Sequence, residues 1–129
     1  MKYKYCVRRK TDKSHGEEQV KYYAVPLSSG TVGTEELSES ISRRCTLSEG
    51  DIRATIVELI HTIEQELHQG KKVCLEGIGI FSLSASSEGF NTPEECTPGK
   101  VKAKRICFLA DKRLKKNLKF VKFEKDKKG

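Results

Sequence analysis

Tyr3, Tyr5 and Val7 alternate with Lys2, Lys4, Cys6 and Arg8, the period of a half-buried strand over residues 2–9. A polar loop is expected over 10–18. A second strand over 19–26 sets Val20, Tyr22, Ala24 and Pro26 on one face, so the pair reads as a hairpin with a long loop. Ser28, Ser29, Gly30 and Gly33 break the pattern. Thr34 can cap a short helix that opens with Glu35 and Glu36, acids suited to its positive end, and that ends near Cys45. Leu37 and Ile41 give this helix one short apolar face. Ser48 and Asp51 have the spacing of a capping box. Ile52, Ile56, Leu59, Ile60, Ile63 and Leu67 then recur at three and four, predicting a helix over 49–69 that Gly70 ends. It spans about 30 Å, long enough to pack on a partner chain as well as its own core.

Strands over 72–76 and 78–84 flank Gly77, and Gly79 marks a bulge or a close backbone approach. Residues 85–99, rich in Ser, Glu, Gly, Pro and Thr, read as a loop or arm. From 100 to 109, Lys100, Lys102, Lys104 and Ile106 alternate with Val101, Ala103, Arg105 and Cys107, a basic strand with three lysines on one face. Asp111 can cap a short helix over 112–118 whose exposed side carries Lys112, Arg113, Lys115 and Lys116. Phe120, Val121 and Phe123 suggest a last strand, followed by a frayed basic tail over 125–129.

The chain has 129 residues, 36% apolar and 33% charged, which fits one domain with an ordinary core. No apolar run approaches the roughly 18 residues of a membrane helix. The first five residues lack the apolar stretch of a secretory signal, so a cytoplasmic protein is expected. Cys6, Cys45, Cys74, Cys96 and Cys107 are odd in number and nowhere spaced as C-x-x-C, which favours reduced thiols over disulfides or a zinc knuckle. Cys74 and Cys107 are expected as small buried hydrophobes. His61 and His68, seven apart on the long helix, read as a solvated or core-edge pair, and His15 has no metal-ligand partner. No nucleophile–base or paired-carboxylate arrangement stands out, and Gly77-Ile78-Gly79 lacks the third glycine of a dinucleotide site. Neither an enzyme nor a cofactor is expected.

The formal charge is +7, distributed unevenly. Residues 1–99 hold 12 Lys/Arg and 15 Asp/Glu, whereas residues 100–129 hold 13 and three. A polyanionic partner for the C-terminal third follows, nucleic acid first among them, against the plainer reading of a solvated face with a solubilising tail.

The ordered set of elements resembles the HU and integration host factor family of bacterial histone-like DNA-binding proteins. Thr34 to Leu37 and Cys45 to Ser48 look like that family's opening helix and turn. Leu67 to Val73 look like the end of its long helix and its first strand. Gly77-Ile78-Gly79-Ile80-Phe81 is similar to its glycine-flanked motif, and Phe108 to Lys115 to its last strand and basic helix. The match covers residues 34–118, with the arm at 85–99. Residues 1–33 add a strand hairpin and 119–129 a last strand and tail, additions that resemble a Bacteroidetes HU-like subgroup. The arm is shorter than the family's, and Glu94 and Glu95 stand beside Pro93 where the family tip is arginine-rich.

The resemblance implies an α+β fold forming an intertwined homodimer that binds double-stranded DNA in the nucleoid with little sequence preference. It implies DNA contacts from Lys100, Lys102, Lys104, Arg105, Lys112, Arg113, Lys115 and Lys116, with Pro93 either a groove wedge or turn punctuation. It implies a dimer interface from Ile56, Leu59, Ile60, Ile63, Phe81 and Phe108, surface that the added strands would have to cover in a monomer. A membrane or a small-molecule substrate is not expected. Two rival readings stay open. One is a protein-interaction module that has kept the fold and lost DNA bending. The other is single-strand or RNA binding by stacking on Tyr3, Tyr5, Tyr22 and Tyr23.

Overall fold

The computed structural model describes residues 2–13 and 16–127. His15 and the last two residues of the tail expected to fray lie outside them. The chain divides into two compact units, Met1–Gly33 with Asn117–Gly129, and Thr34–Lys116.

The first unit is a three-stranded sheet. Strands β1 (Tyr3–Asp12) and β2 (Gln19–Leu27) form the expected antiparallel hairpin, in register from Lys4 opposite Leu27 to Asp12 opposite Gln19. Strand β1 runs three residues past the apolar alternation. Its ladder is made by backbone groups, and Lys10 and Thr11 pair with Lys21 and Val20 whatever their side chains. The terminal strand, which will be called β6 (Phe123–Lys125), lies parallel to β1 on its other side, giving the order β2-β1-β6. Hydrogen bonds from Tyr3 N–H to the Lys122 carbonyl (2.7 Å) and from Asp126 N–H to the Tyr5 carbonyl (2.8 Å) hold it. The ring of Phe123 stands 5.7 Å from that of Tyr3 and 6.4 Å from that of Tyr5. Phe120 and Val121 do not join this strand as expected. Phe120 closes a 3₁₀ turn (Leu118–Phe120) in which its N–H bonds the Asn117 carbonyl, so pairing starts only at Phe123. The side of β1 expected to be solvated holds its most buried residue, Cys6, opposite Val25. Tyr3 and Val7 are substantially exposed.

In the second unit, α1 (Thr34–Ser42) packs on α2 (Glu49–His68). Thr34 is the first residue of α1, where its carbonyl accepts from the hydroxyl of the fully buried Ser38. Ser48 caps α2, its Oγ accepting from Asp51 N–H at 3.1 Å. Gly70, at φ +86°, turns the chain out of the helix in the left-handed conformation that glycine tolerates. Ile52 and Leu67, 5% and 2% exposed, anchor the two ends of α2. The helix lies on β3 (Val73–Leu75) and β4 (Gly79–Ser86), which continue antiparallel into β5 (Lys102–Ala110). Strand β4 extends to Ser86, so the arm begins two residues later than expected. The final helix, α3 (Lys112–Lys115), is one turn and stops short of the expected 118.

Two cysteine expectations fail. Cys74 is exposed and Cys107 only half-buried, while Cys6 is buried. All five thiols are free.

Candidate nucleic-acid interface

The register of β4 and β5 decides what each sheet face carries. From Gly79 opposite Ala110 to Ser84 opposite Arg105 the pairing is regular. It then jumps, with Ala85 opposite Ala103, leaving Lys104 as the extra residue of a bulge. A plain alternating strand would put Lys102 and Arg105 on opposite faces. The inserted residue brings them to the same one. That face carries Ile80, Ser82, Ser84 and Ser86 from β4 and Lys102, Arg105, Cys107 and Leu109 from β5. The other face is apolar: Phe81, Leu83, Ala85, Ala103, Ile106 and Phe108. Phe81 and Phe108 pair across the strands with ring centroids 4.9 Å apart.

The expected row of Lys100, Lys102 and Lys104 on one strand face therefore does not form. Lys100 lies outside β5, in a 3₁₀ turn (Pro98–Lys100). Its N–H bonds the Thr97 carbonyl, its ammonium donates to the Glu95 carbonyl at 3.2 Å, and it stands 4.9 Å over the Phe90 ring. Lys104 is displaced from the alternation by the bulge.

The arm between β4 and β5 is built from two proline-initiated 3₁₀ turns. Pro93 opens the first (Pro93–Glu95), where its fixed φ suits the leading position, and the Thr92 hydroxyl donates to the Glu95 carboxylate at 3.1 Å. Glu94 and Glu95 are exposed beside it.

Asp111 fixes the last basic turn. Its Oδ1 accepts from Lys112 N–H and its Oδ2 from Gly77 N–H, each at 2.8 Å, while its own N–H bonds the Ile78 carbonyl at 2.9 Å. Lys112, Arg113, Lys115 and Lys116 thus leave one exposed turn tied to the β3–β4 turn. Gly77 has φ +86°, and a Cβ added to it would lie in ordinary contact range of the Arg113 side chain. A single turn carries little macrodipole, so the cations themselves, more than its N-terminal amides, define this patch.

The expected interface residues are only partly covered. Ile56, Ile63 and Phe81 are half-buried. Ile60 is 58% exposed, Phe108 49% and Ile106 62%, and Leu59 and Val57 are exposed beside them. Sequence reasoning missed the serine row and the pairing of Arg105 with Lys102. The serine row follows from the plain alternation of Ser82, Ser84 and Ser86 along β4, a signal present in the sequence, whereas the placing of Arg105 with Lys102 depends on the bulge, which no residue type announces.

A helical hairpin on an antiparallel sheet, with a glycine-tight turn, an arm and a basic closing turn, defines an HU-like fold. The model of the HU-HIG family, described as an HU domain fused to wHTH, Ig, or Glycine-rich motif, matches residues 1–125, and the chain belongs to this family. No curated protein matches the sequence. Among solved structures, it is similar to an HU–DNA cocrystal structure from Anabaena, with TM-score 0.51 and 17% identity over 67% of this chain and 97% of that one. It is also similar to a bacterial DNA-binding protein from Bacteroides vulgatus so described provisionally, with TM-score 0.61 and 9% identity over 97% of this chain. This chain spans 49% of that protein's length. At these identities the two likenesses are of fold. No helix among the described residues is long and apolar enough to cross a membrane.

Proposed function

We propose that this chain is a nucleoid-associated protein that binds double-stranded DNA as a homodimer, without strong sequence preference. The observation that carries the reading is the division of the β4–β5 sheet into an apolar face and one bearing Ser82, Ser84, Ser86, Lys102 and Arg105. Cations and short hydroxyls are backbone-contacting groups: they hold phosphate and sugar without reading bases. Lys112, Arg113, Lys115 and Lys116 extend the phosphate contacts, with Lys104 at the bulge and Lys100 on the arm, where Pro93 is an apolar groove wedge. The exposed Leu59, Ile60, Ile106 and Phe108, with Ile56, Ile63 and Phe81, form the surface a second copy covers, since an isologous contact buries the same patch twice. The family supports a binding role over catalysis.

A second reading, an HU-fold interaction module that no longer bends DNA, draws on Glu94 and Glu95 in the arm and on equal numbers of acids and bases within Thr34–Lys116. Anisotropy titrations against mixed-sequence duplex at several salt concentrations separate the two. The duplex reading expects tight, steeply salt-dependent binding that Lys102→Glu with Arg105→Glu weakens by tenfold or more. Absence of binding at low salt supports the interaction module.

A further inference from the structure

The formal charge of +7 belongs entirely to one of the two units. Met1–Gly33 with Asn117–Gly129 holds 12 Lys/Arg against five Asp/Glu, whereas Thr34–Lys116 holds 13 of each. Within the charged unit, the β1–β2 register sets Lys10 directly opposite Lys21, and Arg8 directly opposite Tyr23. These four residues share one sheet face, because Arg8 and Lys10 are two apart on β1 and Tyr23 and Lys21 two apart on β2. All four are exposed. The ion pairs among the described residues use none of the three cations.

Like charges directly opposed on an antiparallel pair weaken it. The arrangement therefore costs the isolated unit stability. Cations on an edge strand can blunt strand-to-strand aggregation, which would account for Lys21 on β2. That protection extends to Arg8 and Lys10, because β6 pairs only with Tyr3–Tyr5 and leaves the far side of β1 open beyond them, but it gives no reason for setting Lys10 directly opposite Lys21 within the paired ladder. Two cations in line on a strand are about 6.8 Å apart, and the neighbouring strand is about 4.8 Å away, so the cluster presents a compact positive surface. Phosphate relieves the Lys10–Lys21 repulsion, and the Tyr23 hydroxyl adds a donor for a phosphate oxygen.

We infer that the face carrying Arg8, Lys10, Lys21 and Tyr23 is a second contact surface for the phosphate backbone of duplex DNA, separate from the β4–β5 face. It takes from the reading above only that the partner is duplex DNA. Its own contribution is sequence-independent affinity, gained by releasing counterions.

The test uses the full chain with Arg8→Gln, Lys10→Gln and Lys21→Gln together, beside the Lys102→Glu, Arg105→Glu variant and an Arg9→Gln control on the opposite sheet face. Anisotropy against duplex and against single strands of the same sequence is measured from low to physiological salt. The triple variant is expected to lose tenfold or more in duplex affinity, and its log K against log salt slope to flatten by about 2 to 3, since each phosphate contact contributes about 0.9. The control is expected to stay within twofold. A thermal melt checks folding; Lys10→Gln alone relieves the repulsion, is expected not to lower the midpoint, and serves as the second variant, flattening the slope by about 1. Unchanged duplex affinity and slope in the folded variants overturn the inference, as does a loss confined to single strands. Aggregation of the triple variant with unchanged duplex binding assigns these cations to edge protection and also overturns it. If the triple variant loses binding while the Lys102→Glu, Arg105→Glu variant keeps it, the inference stands and the placement of DNA on the β4–β5 face fails.

Discussion

The carboxylate of Asp111 accepts a hydrogen bond from the N–H of Gly77, 34 residues earlier, at 2.8 Å. The same side chain caps α3, so one residue ties the β3–β4 turn to the last basic turn. Replacing it by alanine leaves the half-buried Gly77 without that partner and strips the cap. The expected cost is about 1–3 kcal/mol. Denaturant unfolding of the full chain measures it, with Asp111→Asn losing less because one amide oxygen still accepts.

Gly79 and Gly77 fail differently when a methyl is added. A Cβ on Gly79 would overlap the Leu109 carbonyl oxygen and lie 2.6 Å from the Phe108 ring, with backbone on one side unable to yield. Gly77→Ala meets open contact distances but must hold φ +86°. Gly79→Ala is expected to destabilise by about 2–3 kcal/mol through overpacking. Gly77→Ala is expected to cost about 1–2 kcal/mol through strain. Paired thermal melts give the order.

Ile60 tests the dimer. At 58% exposed it contributes little to a lone protomer, so Ile60→Glu there changes stability by no more than about 0.5 kcal/mol. In a homodimer built on this helix the same change buries a charge. Sedimentation velocity is expected to show the unsubstituted chain as a dimer and the variant as a folded monomer.

Lys100 and Arg105 separate the arm from the sheet. The Lys100 ammonium is engaged by the Glu95 carbonyl and the Phe90 ring, whereas the exposed Arg105 shares its sheet face with Lys102. Lys100→Gln is expected to reduce duplex affinity less than twofold, and Arg105→Gln about fivefold or more, read by anisotropy at one fixed salt concentration.

The sequence by itself determined the order and kind of the elements. The recurrence of Ile52, Ile56, Leu59, Ile60, Ile63 and Leu67 can be satisfied only by a helix, and Ser48 and Gly70 mark its ends through local backbone chemistry. The hairpin of β1 and β2 and the glycine turn before Phe81 were legible for the same reason: each is set by residues a few positions apart. Which side chains share a face was decided by tertiary structure. The bulge at Lys104 is a property of two strands in register, and it moved Arg105 beside Lys102 while breaking the expected lysine row. The docking of Phe123 on β1, the burial of Cys6 in place of Cys74, and the opposition of Lys10 to Lys21 are likewise contacts between distant segments. Periodicity reports how a segment alternates. It carries no information about which partner lies opposite, and that partner sets the face, the burial and the local charge.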